Sequence, residues 1–220
     1  MKFDDAWGFS KLDTYWTCPQ KFEAQFIKKL KYMNQGGAAM DRGSKIHADI
    51  ESWLNGWAQE LPVEAQLHFL TRFTDLKACD FKAESAWGFN KDWSKRSDWF
   101  GKECWLRVKL DAHYTAGAYG VVIDFKTGKY RVPSVEQVEL YALSAFCVYP
   151  ELEEIDAEFW FIDTGEVYKK TFTNSEVPAL KKKYEDYVKP LYADDTWSPR
   201  PSNECRWCAH SKTKGGSCVY

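Results

Sequence analysis

Apolar residues recur at the three-to-four-residue spacing of an amphipathic helix in five segments of the chain. The predicted helices run from Ser10 to about Tyr32, from Ser44 to about Trp57, over residues 63–79, from Ser134 to Val148, and from Asn174 to about Tyr192. Ser10, Ser44 and Asn174 are residue types that cap helix N-termini, so each is expected to begin its helix.

Runs rich in β-branched and aromatic residues lie between these helices and predict strands. The predicted strand regions are a strand-and-loop stretch at about 81–103, a hairpin at about 104–126, and two strands at Ile155–Ile162 and Glu166–Phe172. The hairpin centre is Ala-Gly-Ala, which places Gly117 and Ala118 at its tip. Helices and strands interspersed in this way predict an α/β domain.

The hairpin brings charged residues together on one face. With Gly117 at the tip, Asp111 is expected opposite Asp124, with Cβ atoms about 4.5–5.5 Å apart. Strand alternation puts Lys126 on the same face. Facing carboxylates repel each other, and a divalent cation between them removes that cost. The pattern therefore predicts a metal site with an ammonium group beside it, which suits phosphodiester hydrolysis.

Composition narrows the class of protein. The 220 residues are 45% hydrophobic, which supports a substantial core, and the net charge of −2 provides no global basic field for nucleic acid. The 11 Trp could supply stacking surfaces as well as packing. No apolar run approaches the ~18 residues of a membrane span, and the first residues lack a signal-peptide core. A cytoplasmic protein is expected, in which the seven cysteines do not form disulfides.

Two further pairs of residues lie four apart on predicted helices and so share a helix face. His47 and Glu51 form the first pair, and His47 could supply the third ligand that the hairpin lacks; an imidazole favours Mn²⁺-like ions over Ca²⁺. Gln137 and Tyr141 form the second pair. Their amide and hydroxyl could position a phosphate or a strand end, although a surface Gln on an amphipathic helix is the plainer interpretation.

Three cysteines near the C-terminus, Cys205, Cys208 and Cys218, resemble metal ligands in their spacing. A tetrahedral thiolate site needs four, and Cys18 is the natural fourth. Joining Cys18 to Cys205 would close a loop of 205 − 18 = 187 residues, a constraint worth about 5 kcal/mol by chain entropy. Zinc and an iron–sulfur cluster both fit, and His210 could replace one Cys in a zinc site. The other three cysteines are predicted to be core positions: Cys79, Cys104 and Cys147.

Taken in order, these motifs resemble the RecB-like branch of the PD-(D/E)XK nucleases. The nearest resemblance is to its iron–sulfur exonucleases, which include the CRISPR-associated RecB-like nucleases, the AddB nuclease domain and phage-encoded relatives. It covers most of the chain. The motifs are Ser10 to Phe26 with Cys18-Pro19, Gly43 to His47, Asp111, Asp124 to Gly128, Gln137-x-x-x-Tyr141, and Cys205-x-x-Cys208 with the tail to Cys218.

The resemblance implies a restriction-endonuclease-like α/β core, with a central mixed β-sheet flanked by helices and a cysteine-ligated region that joins the N- and C-termini. It implies one nuclease domain over residues 1–220. Residues 1–42 and 195–220 would form the iron–sulfur-bound end, and residues 43–194 the nuclease core with a helical insertion at about 53–80.

The resemblance also implies residue roles. The ligands of Mg²⁺ or Mn²⁺ would be His47, Asp111, Asp124 and the backbone carbonyl of Phe125. Lys126 would position or activate the attacking water and offset charge on the phosphate. Gln137 and Tyr141 would be the accessory catalytic motif of the branch. The four ligands of a [4Fe–4S] cluster, with zinc as the alternative, would be Cys18, Cys205, Cys208 and Cys218.

The implied activity is metal-dependent hydrolysis of DNA by an exonuclease on single-stranded ends, with 5′→3′ polarity favoured. Phage recombination or DNA processing in the host cytoplasm is the implied setting, with a recombination or annealing protein as a partner. Two alternatives remain open: a CRISPR-adaptation nuclease that processes spacer precursors, and a non-catalytic, cysteine-stapled DNA-binding scaffold. The complete set of His47, Asp111, Asp124 and Lys126 favours an enzyme, because a scaffold would have little reason to keep all four.

Overall fold

A computed structural model of the protein describes residues 2–34, 37–130, 132 and 134–220. The chain divides into two compact units. The larger consists of residues 37–182, and the smaller of residues 1–36 together with residues 183–220. No helix in the described part of the chain is long and apolar enough to cross a membrane.

The helices and strands follow the order expected of an α/β protein. The α-helices are α1 (Phe9–Thr17), α2 (Pro19–Phe22), α3 (Ala38–Leu54), α4 (Val63–Ala78), α5 (Val135–Val148) and α6 (Val177–Ala193). The strands are β1 (Phe81–Phe89), β2 (Lys95–Arg96), β3 (Leu106–Ala116), β4 (Tyr119–Lys126), β5 (Glu154–Phe161) and β6 (Val167–Thr173).

The strands of the described residues form one mixed sheet in the order β2-β1-β3-β4-β5-β6. Strands β4 and β5 are parallel, and every other neighbouring pair is antiparallel. A parallel pair needs a crossover connection, and α5 lies in the segment that links β4 to β5. The predicted mixed sheet flanked by helices is confirmed.

Helices α3 and α4 supply the main apolar core against one face of the sheet. The buried residues of this cluster are Ile46, Ile50, Leu54, Leu61, Ala65, Phe69, Phe73, Leu76, Ala112, Val121, Ile123, Phe125, Trp160 and Ile162. Successive strand residues point to opposite faces, so Asp124 and Phe159 face away from this cluster. Helix α5 lies on that second side, where the ring of Tyr141 packs edge-on against Phe159.

Several predicted elements agree with the structure and three helix starts do not. The hairpin turns between Ala116 and Tyr119 as expected, and α4, α5, β5 and β6 lie within a residue or two of their predicted bounds. The helix expected to begin at Ser10 begins at Phe9 instead, with Gly8 as the extended residue before it, so Ser10 lies inside the helix and does not cap it. The helix was also expected to continue to Tyr32, but it is interrupted at Cys18, which is extended because a residue before proline avoids the helical conformation.

The other two differences concern helix caps. Helix α3 begins at Ala38, with Gly37 as the extended residue before it, so Ser44 lies inside the helix and does not cap it. Thr173 and not Asn174 caps the helical segment that leads into α6: its hydroxyl and the Glu176 carboxylate form a capping box. A 3-10 turn over Asn174–Glu176 then leads into α6.

The smaller unit has an aromatic core. Phe22 stacks on Trp197 with ring centroids 5.5 Å apart, and Tyr15 packs edge-on against Phe22. The Tyr15 hydroxyl donates to Asp194 at 3.1 Å, and Asp194 also accepts the backbone N–H of Trp197. These contacts join the first helix to the chain that follows α6, which is where the C-terminal cysteines lie.

Candidate functional site

The hairpin register places the two acidic residues as the sequence predicted. Ala112 pairs with Ile123, so Asp111 and Asp124 lie one position beyond this last pair. Asp111 Oδ2 accepts the backbone N–H of Phe125 at 2.6 Å. The Asp111 carboxylate is thereby anchored to the backbone of β4, directly beside Asp124.

Asp124 belongs to a closed ring of four side chains. Lys126 Nζ lies 2.6 Å from Asp124 Oδ2 and donates to Gln137 Oε1 at 3.2 Å. Gln137 Nε2 donates to the Tyr141 hydroxyl at 2.8 Å, and that hydroxyl donates to Asp124 Oδ1 at 2.9 Å. Alternation along β4 and the four-residue spacing on α5 together bring these groups to one point.

Burial decides the ionisation of two members of the ring. Burial raises the pKa of Asp124, and the Lys126 ammonium works against that rise. Burial also raises the pKa of Tyr141 well above its ordinary value, and the Asp124 charge adds to the effect. The Tyr141 hydroxyl therefore stays protonated and remains a hydrogen-bond donor to Asp124.

His47 reaches the same region from α3. Its Nδ1 lies 3.3 Å from Asp111 Oδ1. Burial works against the imidazolium, but the Asp111 carboxylate outweighs it, so the pKa of His47 is raised above its ordinary value. Asp111 thus links His47 on one side to the backbone of β4 on the other.

An open cavity exposes His47 and Asp111 to solvent. It has a volume of about 450 Å³ and is lined by His47, Glu51, Asp111, Glu84 and Lys109 among others. A second cavity, of about 380 Å³, is lined by residues that include Lys126, Gln137 and Lys129. The first cavity thus reaches His47 and Asp111 and the second reaches Lys126 and Gln137, and both volumes lie within the usual range of small-molecule sites.

Glu84 is a site residue that the sequence did not reveal. It interrupts the β1–β3 ladder between the Ala83 and Ser85 pairs, with a φ of +50°, a conformation uncommon for residues other than glycine. Its carboxylate pairs with Lys109. A single Glu in a polar, Trp-containing stretch carries no sequence signal, and only the structure shows that Glu84 lines the cavity.

The donor types of the site fit a divalent cation. Carboxylate oxygens and an imidazole are ligands for Mg²⁺ and Mn²⁺. Over residues 2–34, 37–130, 132 and 134–220, no three His, Cys, Asp or Glu side chains are arranged to hold an ion. Here the carboxylates contact Lys126 and His47 instead. The ligand roles of His47, Asp111, Asp124 and the Phe125 carbonyl stay predictions.

A separate cavity in the smaller unit brings together the four cysteines singled out in the sequence: Cys18, Cys205, Cys208 and Cys218. The N–H of Arg200 donates to Cys18 Sγ at 3.4 Å, and the N–H of Ser202 donates to Cys205 Sγ at 3.4 Å. Hydrogen bonds to cysteine sulfurs are also a feature of protein-bound iron–sulfur clusters. The four thiols are the right kind of ligand for such a group and line one cavity, but among the described residues no three of them are arranged to hold an ion.

Gly216, the second glycine of the pair before Cys218, is required for a steric reason. A Cβ on Gly216 would lie 2.2 Å from the carbonyl oxygen of His210, so only glycine fits there. Cys218 then donates its N–H to the same carbonyl at 3.0 Å. His210 contacts Tyr32 through Nδ1 at 2.8 Å and lines the cysteine cavity, so its role as an alternative zinc ligand stays open.

The remaining cysteines differ from one another. Cys104 is buried, which agrees with a core position, whereas Cys147 is only half-buried. Cys79 is exposed at the end of α4, so its prediction as a core residue is wrong. It follows the last turn of an amphipathic helix, where apolar neighbours in sequence do not imply burial.

Comparison with known proteins gives one family. The family model described as the PD-(D/E)XK nuclease superfamily matches residues 6–213. No curated protein matches the chain. A solved structure described as "Crystal structure of SSO0001" is similar at 15% identity and a TM-score of 0.48, over 94% of this chain and 85% of the other.

Proposed function

The chain belongs to the PD-(D/E)XK nuclease superfamily, and from that premise we propose that it is a metal-dependent DNA exonuclease acting on single-stranded ends. The proposal extends to Mg²⁺ or Mn²⁺ as the cation and to 5′→3′ polarity. It also assigns a [4Fe–4S] cluster, with zinc as the alternative, to the four cysteines of the smaller unit.

One observation carries the proposal: the closed ring of Asp124, Lys126, Gln137 and Tyr141 lies beside Asp111 and His47 at the edge of an open cavity. A structure selected for stability alone would not gather two carboxylates and polar groups where the sheet could be apolar. Perturbed ionisable groups in a cleft are typical of functional sites.

Each side chain has a chemical task in phosphodiester hydrolysis. Asp111, Asp124 and His47 would hold the cation, which when bound supplies Lewis-acid stabilisation of charge on the phosphate. Lys126 would hold the attacking water and stabilise the charge that develops on phosphate oxygens. Tyr141 and Gln137 keep Asp124 and Lys126 in place through the ring, and Gln137 also faces the second cavity, where a strand end could bind.

The preference for single strands is supported by the shape of the site. One open cavity is lined by His47 and Asp111, and another is lined by Lys126 and Gln137. No described element resembles a base-reading helix of a known DNA-binding motif. An open groove with exposed lysines suits sequence-tolerant binding of a flexible strand. A recombination or annealing protein that delivers such a strand is part of the same proposal.

The test uses anaerobically purified protein with single-stranded DNA labelled at the 5′ or the 3′ end, in Mn²⁺, Mg²⁺ or EDTA. Shortening that requires the cation and starts from one end supports the proposal, and the label that is lost first gives the polarity. Internal cuts in a circular single strand would instead indicate an endonuclease. Binding without cleavage in every buffer would favour the non-catalytic scaffold, and activity confined to spacer-precursor ends would favour CRISPR adaptation.

A further inference from the structure

The turn between β5 and β6 holds the backbone on both sides of Thr127, just after Lys126. The N–H of Ile162 donates to the carbonyl oxygen of Lys126 at 2.8 Å. The N–H of Gly128 donates to Asp163 Oδ2 at 2.5 Å. Two hydrogen bonds from one turn therefore hold the backbone at Lys126 and Gly128, on either side of Thr127.

The same carboxylate binds helix α3, which carries His47. Arg42 donates from Nη2 to Asp163 Oδ1 at 2.7 Å and from Nη1 to Asp163 Oδ2 at 2.9 Å. A bidentate pair of this kind fixes the orientation of both groups as well as their distance. The Arg42 guanidinium, together with the Gly128 N–H, holds the pKa of Asp163 below its ordinary value, although burial acts in the opposite sense.

Gly43 adds a second point of contact between α3 and this turn. A Cβ on Gly43 would lie 2.8 Å from Thr127 Oγ1, closer than carbon and oxygen can pack without a shift. The absence of a side chain thus lets the helix come against the residue that follows Lys126. Arg42 and Gly43, adjacent on the helix, contact Asp163 and Thr127 around the same short segment.

Stability is a weak explanation for the Arg42–Asp163 pair. The side chain of Arg42 is 46% exposed and that of Asp163 is 20% exposed, and exposed ion pairs contribute little because water screens them. The pair instead fixes the position of α3 relative to the turn between β5 and β6. His47 comes from α3 whereas Asp124 and Lys126 come from β4, so neither element alone sets the distance between them.

We propose that Arg42 and Asp163 are positioning residues that hold helix α3 against the end of β4, so that His47 and Lys126 keep a fixed separation. This inference rests on the proposed function, because the site that the pair aligns is the proposed nuclease site. The pair acts through His47 and Lys126 and does not itself take part in the reaction.

The first variant is Asp163→Ala, which removes both the bond to Arg42 and the bond to Gly128. The expected loss in kcat is about 10- to 100-fold with KM within about twofold, because misplacement of catalytic groups slows the reaction more than it weakens binding. Mn²⁺ affinity, measured by calorimetry without DNA, should fall about tenfold, as it does when groups that orient metal ligands are removed.

Arg42→Gln breaks the pair from the other side and should have the same signature, whereas Arg42→Lys keeps one charged bond and should give an intermediate kcat. These variants also provide the test if Asp163→Ala does not fold. The matched control is Lys45→Gln, which removes the exposed Lys45–Asp49 ion pair of the same helix and should leave kcat, KM and Mn²⁺ affinity unchanged.

Wild-type kcat and Mn²⁺ affinity in Asp163→Ala and Arg42→Gln would overturn the positioning role. So would an increase in KM alone, since that would mean that Arg42 binds the DNA strand directly. If the wild-type protein cleaves no DNA, the proposed function fails by itself. The Mn²⁺ affinities of the wild type and the two variants would still decide whether the pair aligns a cation-binding His47.

Discussion

The Tyr141 hydroxyl donates a hydrogen bond of 2.9 Å to Asp124 Oδ1, and this contact joins helix α5 to the acidic strand β4. Both groups are buried, so water does not replace the bond if it is lost. Helix α5 therefore does more than cover the sheet, because it contributes Tyr141 to the candidate site.

Tyr141→Phe should lower kcat about 10- to 100-fold, since a hydrogen bond to a charged group contributes roughly 1.5–3 kcal/mol. Burial already raises the pKa of Asp124, and loss of a donor raises it further. Activity that needs ionised Asp124 is lost as pH falls through its pKa, so the acid limb of the kcat/KM profile should move to higher pH.

The control for that variant is Tyr119→Phe, which removes a hydroxyl that donates to Asp156 in another part of the sheet. An acid limb that moves equally in both variants would mean that the effect is general to the fold and not specific to the Tyr141–Asp124 contact.

Lys126→Met should reduce cleavage at least about 100-fold, because it removes the ammonium that would stabilise charge on the phosphate. DNA affinity, measured by fluorescence anisotropy in Ca²⁺, should change little. Lys129→Met is the matched control: Lys129 is exposed and lines the same cavity as Lys126, so its loss should raise KM and leave kcat near the wild-type value. Equal kcat losses in both variants would contradict a specific role for Lys126.

Cys205→Ser should remove visible absorbance and bound iron, or bound zinc if that is the metal, and lower the unfolding free energy by a few kcal/mol, since the constraint between Cys18 and the tail is lost. Metal analysis and thermal unfolding measure both effects. Cys79→Ser, at the exposed cysteine outside the cavity, should change neither. A variant at Cys205 that keeps its metal and its Tm would rule out the proposed ligand set.

The unfolding free energy should decrease as the pH is lowered, because of His113. This residue is 2% exposed and contacts the Tyr149 hydroxyl at 3.0 Å. Burial, together with Lys82 and Lys95, lowers the pKa of His113 from 6.5 to about 4. Between these values the unfolded chain takes up a proton that the folded chain does not. The unfolding free energy should therefore drop by up to about 2 kcal/mol from pH 6.5 to pH 5.

Urea unfolding at pH 7, 6 and 5 measures this slope. His113→Gln should flatten it, because the substituted side chain does not titrate. His68→Gln, at an exposed histidine of α4, should leave the slope as it is in the wild type. A wild-type slope in His113→Gln would assign the pH dependence to other groups.

The sequence by itself determined the local features of this protein. Alternation and the Ala-Gly-Ala turn set the hairpin register, and with it the adjacency of Asp111, Asp124 and Lys126, because strand periodicity is a property of the backbone. The four-residue spacing of Gln137 and Tyr141 put both on one helix face for the same kind of reason. Periodicity does not show which candidate capping residue begins a helix. Ser44, for example, lies inside α3 and does not cap it.

Only the tertiary structure decided which elements meet. In the folded protein Tyr141 contacts Asp124, and Glu84 lines the cavity beside Asp111. Cys18 lies in one cavity with the C-terminal cysteines, and Arg42 pairs with Asp163, which is 121 residues away in the sequence. Contacts between residues far apart in sequence depend on packing the whole core, since no local propensity encodes the distance between a helix and a strand. Sequence motifs identify the chemical groups of the site, and packing fixes the distances on which their chemistry depends.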